Sequence, residues 1–219
     1  MIRDLPHRWG LLVRVRRYPH TVGMGYGARK LDHPATLADL DALQEGVVGE
    51  IIDGTLYAHP RPMAGHSYLE SRLIAELDGP FQRGRGGRDG WWLLTEPGIQ
   101  VEGSPEFVPD LAGWRRERVP EFPTSRWTLA PDWACEILSP STRAYDQRIK
   151  RPFYARIGIR HLWFIDLDAR TLIVSELMND RWVELGVHGD EDIIRAAPFE
   201  DFELKLGALW PPSQRGEDT

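Results

Sequence analysis

The stretch WACEILSPSTRAYDQRIKRPFYARIGIRHLWFID, residues 133–166, decides how the chain is read. WACEILS is a short apolar run that reads as a buried strand. RAYDQRIKRPFYARIG reads as helix, ended by Gly158, and RHLWFIDLD resumes as a second buried strand. Pro152 complicates the helix. Either the helix is kinked there, or its main part begins with the proline in its first turn. One residue does not belong to the apolar pattern. Glu136 sits among Trp133, Ala134, Cys135, Ile137 and Leu138, and Lys150 follows fourteen residues later. A carboxylate in such a strand costs several kcal/mol, roughly, unless a partner meets it.

Outward from this block the elements alternate. ATLADLDALQ is a short helix with Thr36 as N-cap and Asp39 in the first turn. VVGEIIDGTLY reads as two strands joined at Asp53-Gly54. AGHSYLESRLIAELDG places Leu69, Leu73 and Leu77 at helical spacing, with Gly79-Pro80 as the stop. GRGGRDG is a basic loop. WWLLTEPGIQV and EFVPDLAGW form a second strand pair, and RRERVPEFPTSRWTLAPD is a long polar loop. TLIVSEL-MNDR-WVELGV is a hairpin, and FEDFELKLGALW closes the domain. This order predicts an α/β (α+β) domain around one mixed sheet flanked by helices. Its expected bounds are residues 34–212, with a flexible tail over 213–219.

Residues 1–33 read as a basic extension, in which LLVRVRRY alternates like a strand and VGMGYGARK is loop-like. Arg3, Arg8, Arg14, Arg16, Arg17, Arg29 and Lys30 outnumber Asp4 and Asp32 there. A solvated tail is the expectation, ahead of a nucleic-acid-binding arm.

Composition narrows the function. The 219 residues are 42% hydrophobic and 27% charged, which suits one sizeable core and excludes disorder. A net charge of -6 counts against a protein that coats nucleic acid, but not against an enzyme with a local basic groove. The single cysteine, Cys135, forms no internal disulfide and no zinc cluster. No apolar run is long enough to span a bilayer, and the first twenty residues lack a signal-peptide core. A cytoplasmic protein without membrane contact is therefore expected.

The chemistry rests on three residues. Asp110 follows Val108-Pro109 at the start of one strand, Glu136 lies inside the next core strand, and Lys150 sits on the following helix. Strands lie about 4.8 Å apart, so the two acids can converge. Converging acids repel, which raises a proton affinity or calls for a cation. Mg²⁺, or Mn²⁺ in its place, takes one or two carboxylates with waters and a substrate phosphate. A nearby lysine would stabilise charge on an attacked phosphate or orient water. Spacing alone leaves the alternative equally open: Glu136 and Lys150 as a structural ion pair, with Asp110 capping a turn.

The blocks GEIIDGTLY with His66 after it, VPDLAGW, and CEILSPSTRAYDQRIKRPFYARIGIRHLWFID resemble the Uma2 family, a domain of unknown function in the PD-(D/E)xK restriction-endonuclease-like superfamily. The resemblance spans roughly residues 34–210. It implies a restriction-endonuclease-like fold and a metal-dependent endonuclease that hydrolyses DNA. It puts Asp110 at the first acid of the signature and Glu136 at the second, both as metal ligands. The signature's lysine would fall at Leu138, so Lys150 is its candidate replacement. Homodimerisation, common among nucleases that cut two strands, is carried as an expectation. The rival reading is an inactive endonuclease-fold protein that binds nucleic acid or protein.

Other positions draw a functional and a plain reading. Glu50 is either a further acid of the site or a strand-edge charge. Asp146, four residues before Lys150, is expected at the surface or behind the site. His66 lines the cleft or is a surface histidine, the latter favoured. Cys135 should face away from Glu136 and be buried and inert. Ser139 and Ser141 resemble turn residues. Trp91 and Trp92 are expected in the core rather than stacking on bases. Arg83, Arg85, Arg88, Arg115, Arg116 and Arg118 are candidate phosphate contacts, with solvated loops the commoner case.

Overall fold

The computed structural model describes residues 27–29, 31–84 and 90–212. The strand-like LLVRVRRY, Arg85 and Arg88, and the tail over 213–219 lie outside these residues. Gly27–Arg29, expected as loop, is strand β1. It pairs antiparallel with Thr55–Pro60, so the end of the basic extension adds an edge to a sheet.

Helix α1 (Leu37–Asp41) starts where expected. The Asp39 carboxylate accepts the Thr36 N–H at 2.8 Å and its hydroxyl at 2.7 Å. Strands β2 (Val47–Ile52) and β3 (Thr55–Pro60) meet at Asp53-Gly54. Both turn residues have positive φ, 52° and 70°, the geometry that matches the twist of the flanking strands. Helix α2 (Ala64–Leu77) buries Leu69, Leu73 and Leu77. Gly79-Pro80 does not stop the chain there. A π-helical turn over Asp78–Gln82 follows, closed by Arg83 N–H on the Asp78 carbonyl.

The two runs expected as one strand pair break into four strands: β4 (Trp91–Thr95), β5 (Ile99–Val101), β6 (Ser104–Phe107) and β7 (Leu111–Arg115). Strand β8 (Trp133–Leu138) leads into α3 (Arg143–Tyr145), a π turn (Asp146–Lys150) and α4 (Arg151–Arg156). Pro152 therefore stands in the first turn of α4. In a regular α-helix its ring would press on the carbonyl four residues back. The wider turn before it, with Arg151 N–H reaching the Asp146 carbonyl, avoids that clash. Strand β9 (His161–Asp166) runs parallel to β8. β10 (Thr171–Met178) and β11 (Arg181–Gly189) form the expected hairpin, with Asn179 and Asp180 both at positive φ. Short β12 (Ile193–Ile194) and β13 (Leu204–Lys205) close the described chain.

The single sheet expected is, among the described residues, a two-stranded ribbon of β12 with β13 and two larger sheets. One has the order β11-β10-β9-β8-β7-β4, and the other the order β1-β3-β2-β6-β5. The hairpin alternation was legible, but which hairpins join depends on contacts distant in sequence. β8 and β9 are buried on both faces. Trp133, Cys135, Ile137, Trp163 and Ile165 pack in one layer with α2, Phe199 and Trp210. Ala134, Leu138, Leu162 and Phe164 pack in the other with Phe107, Phe153 and Tyr154. Glu136 lies between Ala134 and Leu138, on this second side. None of the described helices is long and apolar enough to cross a membrane.

Candidate active site

Strand register brings the first two acids together. β7 and β8 are antiparallel with Leu111 opposite Cys135, so Asp110 and Glu136 stand one step beyond that pair. Asp110 Oδ2 accepts the backbone N–H of Ile137 at 2.6 Å, which pins the acid to β8. It also meets His66 Nε2 at 3.0 Å. His66, expected at the surface, is buried at the start of α2. It joins an acid 44 positions away in the chain, so no local pattern could reveal it.

Glu136 is 1% exposed, and its two carboxylate oxygens have different partners. Oε2 accepts from Lys150 Nζ at 3.1 Å, and Oε1 from the Tyr154 hydroxyl. Lys150 Nζ also donates to the Val108 carbonyl at 2.9 Å and lies 3.3 Å from Glu50 Oε2. The ammonium therefore makes two hydrogen bonds, to Glu136 and Val108, and an ion pair with Glu50. Glu50 is fully buried on β2 rather than at a strand edge. Its Oε1 accepts the Val108 N–H at 2.6 Å, and His59 Nε2 lies 3.5 Å from Oε2. Val108 thus presents its N–H to Glu50 and its carbonyl to Lys150, two residues before Asp110.

These contacts set the charges. Burial alone would lower the Lys150 pKa, but Glu136 and then Glu50 outweigh it and hold the ammonium well above its ordinary value. Burial would raise Glu50, yet Lys150 and His59 keep it below the usual carboxylate range. Burial would likewise raise Asp110. The His66 hydrogen bond and charge, then Lys150 and the Ile137 N–H, bring it below. His66 is raised despite burial, by Asp110 first and then Glu70 and Asp146. Burial, then Asp110, Asp146 and Glu50, hold Glu136 above the usual carboxylate range against the pull of Lys150; the ammonium is the charge that the geometry fixes. Burial also holds the Tyr154 phenol well above its ordinary value, so it donates to Glu136 as a neutral group.

Asp146, expected at the surface or behind the site, is buried. Burial, against the pull of Lys150, pushes it up to about 7. A cavity of about 480 Å³ opens onto Asp110, Glu136, Asp146, Lys150, His59 and His66. Glu50 is not on its wall but beneath Lys150. Asp110 keeps an 18% exposed side chain and is the more open of the two acids. The donor chemistry fits a hard cation held by two carboxylates and water. Among the described residues, no group of three or more His, Cys, Asp or Glu is placed to hold a metal.

The remaining positions have structural partners. Cys135 is buried on the apolar side, its thiol pushed up by burial. Ser139 bonds Thr142 and Ser141 at the helix entry. Trp91 is buried in the core, with the Arg115 guanidinium over its ring. Arg116 stacks on Trp92 and donates to the Gln82 and Trp91 carbonyls, and Arg118 pairs with Asp132. Arg83 pairs with Asp78. None of these arginines lines the cavity.

The family model described as "Uma2: Putative restriction endonuclease" matches residues 35–207. Among solved structures, the chain is similar to one described as "a putative nuclease belonging to DUF820" from Anabaena variabilis ATCC 29413. That likeness has 22% identity and a TM-score of 0.62, over 80% of this chain and 97% of the other. At this identity it shows the fold, which is restriction-endonuclease-like. No curated protein matches the chain.

Proposed function

We propose, from the premise that the chain belongs to the Uma2 family, that it is a metal-dependent endonuclease hydrolysing DNA phosphodiester bonds in the cytoplasm, with residues 34–212 as the working unit. Family membership supports a nuclease-like function. The observation that carries the finer reading is the meeting of Asp110, Glu136 and Lys150 at one end of β7 and β8, open to a single cavity.

Asp110 and Glu136 would hold Mg²⁺ or Mn²⁺, which supplies a bound water of lowered pKa and neutralises charge on the phosphate. Asp110 is held ready by Ile137 N–H and His66, and stays ionised near neutral pH. Lys150 acts as a fixed positive charge beside the phosphate and not as a base, because its proton is held by two carboxylates. Glu50 contributes by holding Lys150 and His59 in place. Tyr154 orients Glu136.

One observation favours the rival, an inactive endonuclease-fold protein that binds nucleic acid or protein. Lys150 already has two hydrogen-bond acceptors and a second carboxylate against it, and Leu138 stands where the superfamily signature has lysine. Cleavage of plasmid DNA with Mg²⁺ or Mn²⁺ separates the two. Asp110→Asn and Glu136→Gln should each lower the rate by about 100-fold or more while the fold is retained. Undiminished cleavage in both variants would sink the site assignment. No heat on titration with either metal, with or without DNA, would favour the rival.

A further inference from the structure

The cavity is built unlike a surface that receives a duplex. Val48, Pro62 and Met63 line one part of it, and Ile137, Leu138 and Leu167 another. Its charged lining is dominated by acids: Glu96, Asp110, Glu136, Asp146 and Asp168. Lys150 is turned inward onto Glu136, Glu50 and the Val108 carbonyl. That leaves Arg61 as the single arginine among the described lining residues. Arg143, at the helix entry close by, is paired with Asp166. Duplex binding rests on a run of phosphate contacts by free cations, and the described lining residues do not provide one.

The space itself suits a smaller guest. About 480 Å³ lies within the roughly 300–1,000 Å³ of small-ligand pockets. A nucleotide out of its stack offers an apolar ring face to apolar walls, while its phosphate would meet the cation that Asp110 and Glu136 would hold. Tyr145, on the wall, is 7% exposed and its ring packs on Tyr57 at 4.9 Å between centroids, so the apolar surface that stays open is that of Pro62, Met63 and Leu167. Leu167 closes in beside α2, so near that a Cβ on Gly65 would stand 3.0 Å from its Cδ2.

We infer that the substrate enters as an unstacked nucleotide from a single strand, a flap or a frayed end. Its base lies among Pro62, Met63 and Leu167, and its phosphodiester lies beside Asp110. This rests on the nuclease reading for the anionic group and adds the substrate class. The base is recognised by apolar contact, so sequence preference at that position is weak. The salt dependence of binding is shallow, because few phosphates are neutralised.

The test measures equilibrium binding of the full chain in Ca²⁺ by fluorescence anisotropy. The probes are a fully paired duplex and the same duplex carrying a short single-stranded flap with 2-aminopurine. The flap should bind roughly tenfold or more tightly, the scale of one stacked base. Its log–log salt slope should be about −1 to −2, and 2-aminopurine emission should change on binding. Met63→Asp, at a side chain 83% exposed and so harmless to the fold, should erase most of the flap preference. Leu167→Trp, which fills the same space, should do likewise. Equal binding to both DNAs, binding to neither, or a preference untouched by both substitutions would overturn the inference. Cleavage of the same DNAs in Mn²⁺ is read separately. Flap-selective binding without cleavage removes the hydrolytic reading and supports this one. Cleavage without flap preference does the reverse.

Discussion

The two faces of β8 share one backbone and are held by opposite kinds of force. On one face Trp133, Cys135 and Ile137 meet α2 and the aromatic cluster around Phe199, with Trp133 and Trp163 edge to face at 5.3 Å. Each side chain there is worth its buried area and little more. On the other, Glu136 is tied to Lys150, Tyr154 and, through Lys150, to Glu50. There each group is the partner of another, so removing one leaves a buried charge or acceptor uncompensated. The lesson is that one strand can carry the fold on one side and a charge network on the other.

The hardest way to break that contrast is Lys150→Met. It leaves Glu136 and Glu50 facing each other without their cation, and should cost about 3–5 kcal/mol in denaturant unfolding. Adding Glu136→Gln to it should recover part of the loss, since one uncompensated acid is removed. A loss under about 1 kcal/mol for Lys150→Met would mean that the network contributes nothing to stability.

Tyr154→Phe removes one hydroxyl from the same side and strands Glu136 Oε1. About 1–3 kcal/mol should be lost. Cleavage should also fall, as the acid is less well oriented.

The apolar side has its own titratable group in Glu70 on α2. Burial, then Glu96 and Asp110, raises its pKa to about 7. A carboxyl raised on folding favours the folded state at low pH. That stability is fully present below its unfolded pKa, about 4.3, and is lost as pH rises through about 7. Asp146, also raised to about 7, acts in the same direction from the other side. Glu70→Gln should therefore stabilise the protein at pH 8 relative to pH 5. After allowance for screening the gain is on the order of 1 kcal/mol, or about 2–4 °C in Tm. An unchanged gap between the two melting temperatures would show that Glu70 titrates normally.

Cys135→Ala is the mildest. It trims a buried thiol from the packing face and should cost about 1 kcal/mol. Activity should stay unchanged, which separates the two faces of β8 in a single measurement.

Much of this was legible from local pattern. Asp53-Gly54 announced a hairpin because a two-residue turn with positive φ accepts few other pairs. The apolar runs either side of the helix gave β8 and β9, since strands covered on both faces read as continuous hydrophobic segments. Glu136 stood out because an acid in such a run requires a partner. Pro152 signalled an irregular helix but not its form, because the π turn depends on how Asp146 and Lys150 are drawn inward. His66 drew two readings, cleft or surface, with the surface favoured, and Tyr154 gave no signal. A histidine at a helix start and a tyrosine among Phe153 and Ala155 look alike whether they are surface, core or site.

Sequence alone determined the Asp53-Gly54 turn and the strand–helix–strand block, and it singled out Asp110, Glu136 and Lys150 as candidates. These follow from periodicity and turn chemistry, which act over a few residues, and from the mismatch of a charge with its neighbours. Only the tertiary structure decided that the strands part into two large sheets and a short ribbon and that Glu50 reaches Lys150 from β2. It also decided that His66 holds Asp110 and that the acids border an apolar cavity. Those contacts join segments far apart in the chain, and a buried polar group takes whichever partner the packing of those segments brings within reach.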